Sequence, residues 1–358
     1  MIYFDNSKTT QPEPEMINFI KNDIMNFYGS TNSVHSFSQK MKAKIEEARK
    51  NISILINVFP HNLYFTSGGT EANNIAILGA IKSNKIKTVI CSPLEHFSII
   101  KPFEYLEKQG IIKIIYLKLD EYNNPKLDEL ENILAENKES LLSISHSNYL
   151  TGNILPIKKV GKLCKKHDAI FHCDMAQTMG YLNIDFQKFD VDIATASAHK
   201  FHGFAGVGLI YIADNTKVIP IVWGEDNEYG MRAGSENFMG IISMSEALKI
   251  AYEDIEKYQQ KIISNTIYLK NKLSENISDI TFNTDIRDEK LHKILNVTFD
   301  KIKSSELMIM KLDVRGIAVS KGGFKNNNID KSIRFSLSKF NNKQEIDYCV
   351  KAISEILI

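Results

Sequence analysis

Lys200 is the residue whose type and setting suggest the most specific chemistry in this chain. It lies in the stretch SAHKFHG (residues 197–203), between two apolar runs at residues 191–196 and 207–212. Both runs have the length and β-branched content of buried strands, so the lysine is predicted on a tight turn at a strand end. Such a lysine is either a solvated turn residue or an amine that holds an aldehyde cofactor, pyridoxal phosphate (PLP), as a Schiff base.

A phosphate cradle is the first feature that the second interpretation requires. The stretch SGGT (residues 67–70) lies between a predicted strand, residues 63–66, and a predicted helix, residues 72–82. Gly69 and its neighbours let the backbone approach a phosphate, and the helix N-terminus favours a dianion. A glycine-rich turn that serves only packing is the alternative. Ser197 and His199 could add hydrogen bonds from beside Lys200.

A partner for the pyridine nitrogen is the second requirement. Asp174 ends a predicted strand, residues 169–173, where a buried carboxylate could keep that nitrogen protonated and the ring electron-withdrawing. The alternative is a helix N-cap. His96 follows the strand at residues 88–92 and could stack on the ring, although a lone histidine is more often structural.

Arg334 is an arginine on an otherwise apolar strand, residues 333–337. A guanidinium in that setting requires an anion, and its planar fork suits the α-carboxylate of an amino acid. A structural salt bridge is the competing interpretation.

Strands and helices alternate from residue 63 to residue 174, which predicts a mostly parallel sheet covered on both faces. Ligands of such sheets bind outside the carboxyl ends of the strands. The candidate residues all fall at those ends: residues 68–70, His96, Asn148, Asp174 and Lys200.

The pattern changes after residue 235. A long amphipathic helical stretch at residues 236–272 precedes short strands, a helix at residues 305–314 and a final helix at residues 344–357, with Asn342 and Glu345 as a capping box. We therefore predict an α/β architecture with a large domain at residues 12–245. A smaller α+β domain is predicted from residues 1–11 and 246–358.

Composition narrows the class of protein. The 358 residues carry 44 basic and 43 acidic side chains, a net charge of +1 that argues against nucleic acid and membrane surfaces as partners. The four cysteines have no metal-ligand spacing, so no metal is expected, and buried thiols in a reducing compartment are the default. There is no apolar run of 18 residues and no signal-peptide pattern. A cytoplasmic location is predicted.

Taken together, these stretches resemble one family from end to end. The chain is similar to the fold type I PLP enzymes of the class V aminotransferase group, and most of all to the cysteine desulfurases. The resemblance rests on these motifs: YFDN (3–6) with TT (9–10), FTSGGTEAN (65–73), EH (95–96), FHCDMAQ (171–177), SAHK (197–200), MRAGSEN (231–237), GIAVS (316–320) and SIRFSL (332–337).

The resemblance implies a role for each candidate residue. Lys200 would attach the cofactor, Asp174 would pair with the pyridine nitrogen and His96 would stack on the ring, and these three are the expected catalytic residues. Arg334 would bind the substrate carboxylate. The remaining cofactor ligands would be Gly69, Thr70, Ser197 and His199 at the phosphate, Gln177 and Tyr149 at the ring hydroxyl, and Asn148, which is also assigned to the substrate. Ser235 would reach the phosphate of a neighbouring subunit, which implies a homodimer.

Three departures from the family pattern matter. The segment KGGFKNNNID (residues 321–330) replaces the mobile loop that carries the persulfide-forming cysteine, and it contains no cysteine. In HSNYLTG (residues 146–152), Tyr149 stands where the family has a second asparagine, and a phenol could still donate to the ring hydroxyl. Lys8 stands where the family has a small residue near the substrate entrance.

The sequence thus predicts a cysteine desulfurase-like enzyme that acts on cysteine or a close analogue. Without its own loop thiol, sulfur or selenium would leave by β-elimination or pass to a thiol on another molecule, such as a sulfur-acceptor protein. Two alternatives stay open: an aminotransferase or lyase acting on another small amino acid, and a degenerate homologue kept as a scaffold for sulfur transfer.

Overall fold

The computed structural model describes residues 1–21, 29–287, 293–326 and 329–357. The helices are α1 (Pro14–Lys21), α2 (Ser36–Ile56), α3 (Gly69–Asn84), α4 (Phe97–Lys108), α5 (Leu127–Glu136), α6 (Ile157–Lys166), α7 (Phe238–Glu253), α8 (Ile255–Asn276), α9 (Ser305–Val314) and α10 (Lys343–Leu357). The strands are β1 (Ile2–Tyr3), β2 (Leu63–Thr66), β3 (Thr88–Cys91), β4 (Lys113–Tyr116), β5 (Leu141–Ser145), β6 (Ile170–Asp174), β7 (Ile193–Ser197), β8 (Gly208–Ile212), β9 (Ile280–Phe282), β10 (Ile294–Phe299), β11 (Ile317–Ala318), β12 (Ser320–Lys321), β13 (Lys325–Asn326), β14 (Ile329–Asp330) and β15 (Ser332–Ser336).

A seven-stranded sheet forms the centre of the molecule, in the order β2-β8-β7-β6-β5-β3-β4. Strand β8 runs antiparallel to both of its neighbours, and the other pairings are parallel. The predicted mostly parallel α/β sheet is therefore confirmed. The strands β5, β6 and β7 are neighbours in this sheet and run parallel, so their carboxyl ends lie at the same edge.

Helices cover both faces of this sheet. Leu209 packs with residues of α2 and α7 in the largest hydrophobic cluster, whereas Ile210, the next residue, packs with α3. Val89 and Ile90 of β3 divide between two clusters in the same way. Successive side chains of a strand point to opposite faces, so this alternation requires an apolar layer on each side.

A second, antiparallel sheet lies in the later part of the chain, in the order β12-β15-β10-β9. It packs with α8, α9 and α10 around a separate hydrophobic cluster that includes Phe4 from the start of the chain. Strand β1 pairs in parallel with β11, and Asp5 forms a bridge with Ser336. The beginning of the chain thereby contacts the smaller sheet. The exact domain boundaries stay a prediction.

Two predicted elements differ from the structure. The single helix expected at residues 236–272 is two helices, because Asp254 leaves the helical conformation at φ −127° and ψ 30°. The two helices have different environments: α7 is buried on most sides, whereas α8 packs along one stripe. One of the short strands predicted in the smaller domain, at residues 317–320, is divided into β11 and β12, which pair with different strands. The sequence also predicts a helix at residues 12–27. The structure has α1 in its first part, and residues 22–27 of it lie outside the described residues.

The capping box predicted for the last helix is confirmed. The backbone N–H of Asn342 donates to Glu345 Oε2 at 3.1 Å, and the backbone N–H of Glu345 donates to Asn342 Oδ1 at 3.0 Å. This reciprocal pair satisfies two donors that the first turn of α10 would otherwise leave unpaired.

Across the described ranges, no helix combines the length and the hydropathy that a membrane crossing needs.

Candidate active site

Lys200 lies in a short 3₁₀ turn, Ala198–Lys200, directly after β7. Its Nζ donates to two backbone carbonyls, those of Ser7 and Lys8, each at 2.7 Å. Burial, with a contribution from the nearby charge of Arg334, lowers the pKa of Lys200 to about 8. A lysine with a lowered pKa provides the neutral amine that attacks an aldehyde, so the solvated-turn interpretation does not describe this residue.

The glycine-rich turn joins β2 to α3 beside Lys200. Gly68 has φ +154°, and a Cβ placed on Gly208 would lie 2.6 Å from the carbonyl carbon of Gly68. Gly69 approaches the side chain of Ser197, since a Cβ there would lie 3.5 Å from the serine Cβ. The first N–H groups of a helix have no intrahelical partner, so this turn presents donors next to a buried serine hydroxyl. Thr70 is exposed at the same helix end.

Asp174 ends β6 and is 8% exposed. Its Oδ1 accepts the backbone N–H of Ala176 at 2.8 Å, and its Oδ2 accepts Nδ2 of Asn73 at 2.9 Å. Thr195 in turn donates to Oδ1 of Asn73 at 2.5 Å. Asp174 therefore does bond a backbone N–H two residues on, as the alternative interpretation expects. These two donors hold the carboxylate in one orientation at the edge of the sheet, and its oxygens can still accept a third donor.

His96 occupies the N-cap position of α4. Its Nδ1 accepts the backbone N–H of Ser98 at 3.1 Å, so the proton of the neutral ring lies on Nε2. Burial lowers the pKa of His96, which favours this neutral form. The ring also meets that of Tyr149 edge to face, with centroids 5.2 Å apart. One histidine thus caps the helix and holds a single tautomer at the site.

Arg334 lies on β15 and is 5% exposed. Its Nη1 donates to the backbone carbonyl of Tyr149 at 2.9 Å, and its Nη2 lies 3.4 Å from Asp5 Oδ1. Its Nε is buried with no partner. Burial lowers the pKa of Arg334. The salt bridge of the competing interpretation is therefore present, and the guanidinium also keeps one donor unused. Its binding of a substrate carboxylate stays a prediction.

Unpartnered buried polar atoms test whether the site fits PLP and an amino acid. Gln177 donates Nε2 to the carbonyl of Ser7 at 2.8 Å, but its Oε1 has no partner. The hydroxyl of Ser7 and Nε of Arg334 are also buried without partners. Buried polar atoms nearly always find partners, so orphaned ones in one region indicate a polar ligand. An acceptor beside the Lys200 amine suits the ring hydroxyl, and a free guanidinium donor suits a carboxylate.

The other predicted residues are less closely gathered. Asn148 is engaged by the backbone: its Oδ1 accepts the N–H groups of Leu150 and Thr151, and its Nδ2 donates to Leu94. It organises the loop after β5, and its contact with cofactor or substrate stays a prediction. His199 Nδ1 lies 3.1 Å from Thr9 Oγ1.

Ser235 is exposed, on a loop held by the ion pair between Arg232 and Glu71 at 2.8 Å. Its contact with a neighbouring subunit stays a prediction.

Sequence reasoning assigned no role to Asp5, Ser7 or Asn73. Asp5 pairs with Arg334, the Ser7 carbonyl receives Lys200 and Gln177, and Asn73 holds Asp174. A signal existed for Asn73, since it is a polar residue among Ala72, Ile75 and Ala76 on the buried face of α3. The described residues include no group of three His, Cys, Asp or Glu side chains that could hold a metal ion.

Comparisons with known proteins agree with this geometry. The family model for aminotransferase class-V matches residues 2–349. The chain is 32% identical to a protein named cysteine desulfurase IscS from Dictyoglomus turgidum, over 99% of this chain and 94% of that one. It is 30% identical to a cysteine desulfurase IscS from Methanosarcina thermophila, over 99% and 92%.

Solved structures give the same result. A NifS-like protein that is 30% identical superposes with a TM-score of 0.93 over 99% of both chains. A NifS-like protein from Rickettsia africae, 26% identical, superposes with a TM-score of 0.90, again over 99% of each chain. The chain belongs to the class V aminotransferase family and, within it, to the PLP-dependent enzymes of the cysteine desulfurase group.

Proposed function

We propose that this enzyme acts on cysteine or a close analogue and releases or transfers sulfur or selenium without a thiol of its own. The observation that carries the proposal is the burial of all four cysteines, Cys91, Cys164, Cys173 and Cys349, each at most 1% exposed. Burial raises the pKa of all four thiols, that of Cys349 to about 12. A thiol nucleophile must be accessible and ionised. These four thiols are buried, and their raised pKa values keep them protonated.

PLP supplies an electron-withdrawing ring that accepts negative charge from the substrate Cα. The protein's own residues would do the rest. Arg334 would bind the substrate carboxylate through its free Nε, and Asp174 would present a fixed negative charge at the sheet edge. The Lys200 amine, with a pKa of about 8, would take up and return a proton at Cα near neutral pH.

Sulfur would then leave by one of two routes. In β-elimination the Cα–H and Cβ–S bonds break, and sulfur departs as hydrosulfide. In transfer, the thiolate of a second molecule, such as a sulfur-acceptor protein, takes the sulfur and the substrate becomes alanine. The segment at residues 321–330 offers no thiol for either route, and residues 327–328 of it lie outside the described residues.

We also propose a homodimer and a cytoplasmic location. The homodimer is supported by the exposed loop that ends at Ser235, and the location by four cysteines that form no disulfide.

The experiment is a comparison of the wild-type enzyme with a variant in which all four cysteines are replaced by serine or alanine. We expect the variant to keep most of its activity on cysteine. The products should be sulfide and pyruvate, or alanine when an acceptor thiol is supplied. Cys349→Ser alone is the control for folding, measured by circular dichroism. A substrate-derived persulfide on one of the four cysteines by mass spectrometry, with activity lost in that single variant, would contradict the proposal.

Products from an amino-acid panel separate the alternatives. An aminotransferase would yield the keto acid of another amino acid, and no sulfide from cysteine.

A further inference from the structure

A small cavity adjoins Lys200 outside the group of Asp174, His96 and Arg334, none of which lines it. It is enclosed by the start of the chain, α7, α8 and the segment after β15. Its volume is about 40 Å³, enough for roughly three particles the size of water at about 10–15 Å³ each. The cavity can therefore hold a very small ligand, but not an amino acid.

Lys293 is the most unusual residue of the cavity lining. It is 6% exposed, and its backbone carbonyl accepts the N–H of Leu337, so the residue is anchored next to β15. Its Nζ lies 5.5 Å from the ring centroid of Tyr181. Within the described part of the chain, no carboxylate forms an ion pair with it. A buried ammonium without a carboxylate partner is unfavourable unless another anion compensates its charge or the amine loses its proton.

The charges around the cavity favour such an anion. Lys200, Lys293 and Lys339 line it, and Glu13 is the carboxylate among the described lining residues. Glu13 is already committed to Lys339, with Oε2 and Nζ 2.5 Å apart. Three ammonium groups against one carboxylate leave an excess of positive charge, and attachment of a cofactor to Lys200 would still leave Lys293 unbalanced.

His202, which also lines the cavity, adds no charge near neutral pH. Its Nδ1 lies 2.7 Å from the carbonyl oxygen of Gln11, so Nδ1 donates, and burial lowers the pKa of His202 to about 4. Burial also lowers the pKa of Lys293, to about 7, with Lys200 as the second cause. Near neutral pH a neighbouring anion would therefore favour the charged form of Lys293.

We propose that this cavity is a binding site for one small monovalent anion of one to three heavy atoms, such as chloride, bromide or formate, held by Lys293. The ring of Tyr181 covers one side of the ammonium, and the pair of Lys339 with Glu13 closes the lining without competing for the anion.

Bromide is the probe, used with the cofactor-loaded enzyme. We expect crystals soaked in sodium bromide to give an anomalous-scattering peak beside Lys293 Nζ. In solution, we expect saturable broadening of the bromide NMR line, reversed by chloride and by formate. Lys293→Met, which keeps the length and apolar stem of the side chain, should lose the peak and the saturable broadening.

Lys257→Met is the matched control, because it removes an exposed lysine at the start of α8, and it should keep both signals. Ordered water without an anomalous peak in the wild-type crystal would overturn the proposal, whether or not Lys293→Met folds. So would a peak without saturable broadening in solution, which means binding at crystal concentration only, and so would a signal that persists in a folded Lys293→Met.

Discussion

At the scale of single residues, the amine of Lys200 is the group that we expect to capture the cofactor. Because the pKa of Lys200 is lowered to about 8, the neutral fraction of the amine increases about tenfold for each unit that the pH is raised toward 8. Above pH 8 that fraction levels off. We expect the rate at which apoenzyme captures PLP to follow that curve, measured by the growth of visible absorbance between pH 6 and pH 10. Lys200→Ala should gain no covalently held cofactor at any pH. A borohydride label on another lysine, or a capture rate independent of pH, would contradict the assignment.

Asp174 accepts a hydrogen bond from the backbone N–H of Ala176 and, in the role that we propose, places a negative charge beside the pyridine nitrogen. Asp174→Asn keeps the shape and an acceptor for Ala176 but removes the charge. A charge-assisted hydrogen bond contributes about 1.5–3 kcal/mol, so we expect kcat to fall roughly 10- to 100-fold while the Kd for PLP changes far less. Steady-state kinetics and a cofactor titration measure both. Unchanged kcat would remove Asp174 from the mechanism.

At the scale of elements, the close approach of β8 to the glycine-rich turn would fix the proposed phosphate site. A methyl group at residue 208 would lie 2.6 Å from Gly68 and 2.7 Å from the carbonyl oxygen of Ala196, both backbone atoms that cannot move alone. Overpacking of this kind costs about 1–3 kcal/mol, and we expect Gly208→Ala to raise the Kd for PLP by about tenfold. The readout is an absorbance titration of the apoenzyme.

Gly110→Ala is the control for that experiment. A Cβ there meets nothing within 4 Å, and φ is +68°, so about 1–2 kcal/mol of stability is the expected loss. Its PLP affinity should equal that of the wild type. If both variants lose the same affinity, the effect is general destabilisation and the contact with Gly68 is not what positions the phosphate turn.

The bounds of helices and strands were most predictable where turn or capping residues flank a clear hydrophobic pattern. The bounds of β2 and α9 were predicted to the residue, since a Gly-Gly turn follows one and a serine N-cap precedes the other. The break between α7 and α8 at Asp254 has no glycine or proline that would have predicted it. The two helices pack in different surroundings, which the local sequence does not show. Asn148 is a related case: its contact with cofactor or substrate stays a prediction, and nothing in the sequence indicated its structural role. Its bonds to Leu94, Leu150 and Thr151 depend on a loop whose path periodicity does not describe.

At the scale of the whole molecule, the open question is which subunit Ser235 serves. The family resemblance assigns it to the phosphate of a neighbour. In the structure, however, its loop is tied to α3 of its own chain through Arg232 and Glu71, and Ser235 lines a small pocket together with Ser67. Both arrangements present the hydroxyl near a phosphate turn. Oligomeric state alone would not separate them, because a dimer is compatible with either.

Subunit mixing does separate them. Lys200→Ala and Ser235→Asp, which repels phosphate, should each be inactive as homodimers. If Ser235 acts across the dimer, a mixed dimer contains one site with both Lys200 and Ser235 intact. Random reassociation should then restore about a quarter of wild-type activity, measured after unfolding and refolding the mixture. The refolded Lys200→Ala protein alone is the control. If Ser235 acts within its own chain, each mixed dimer carries a defect in both sites, and no activity returns.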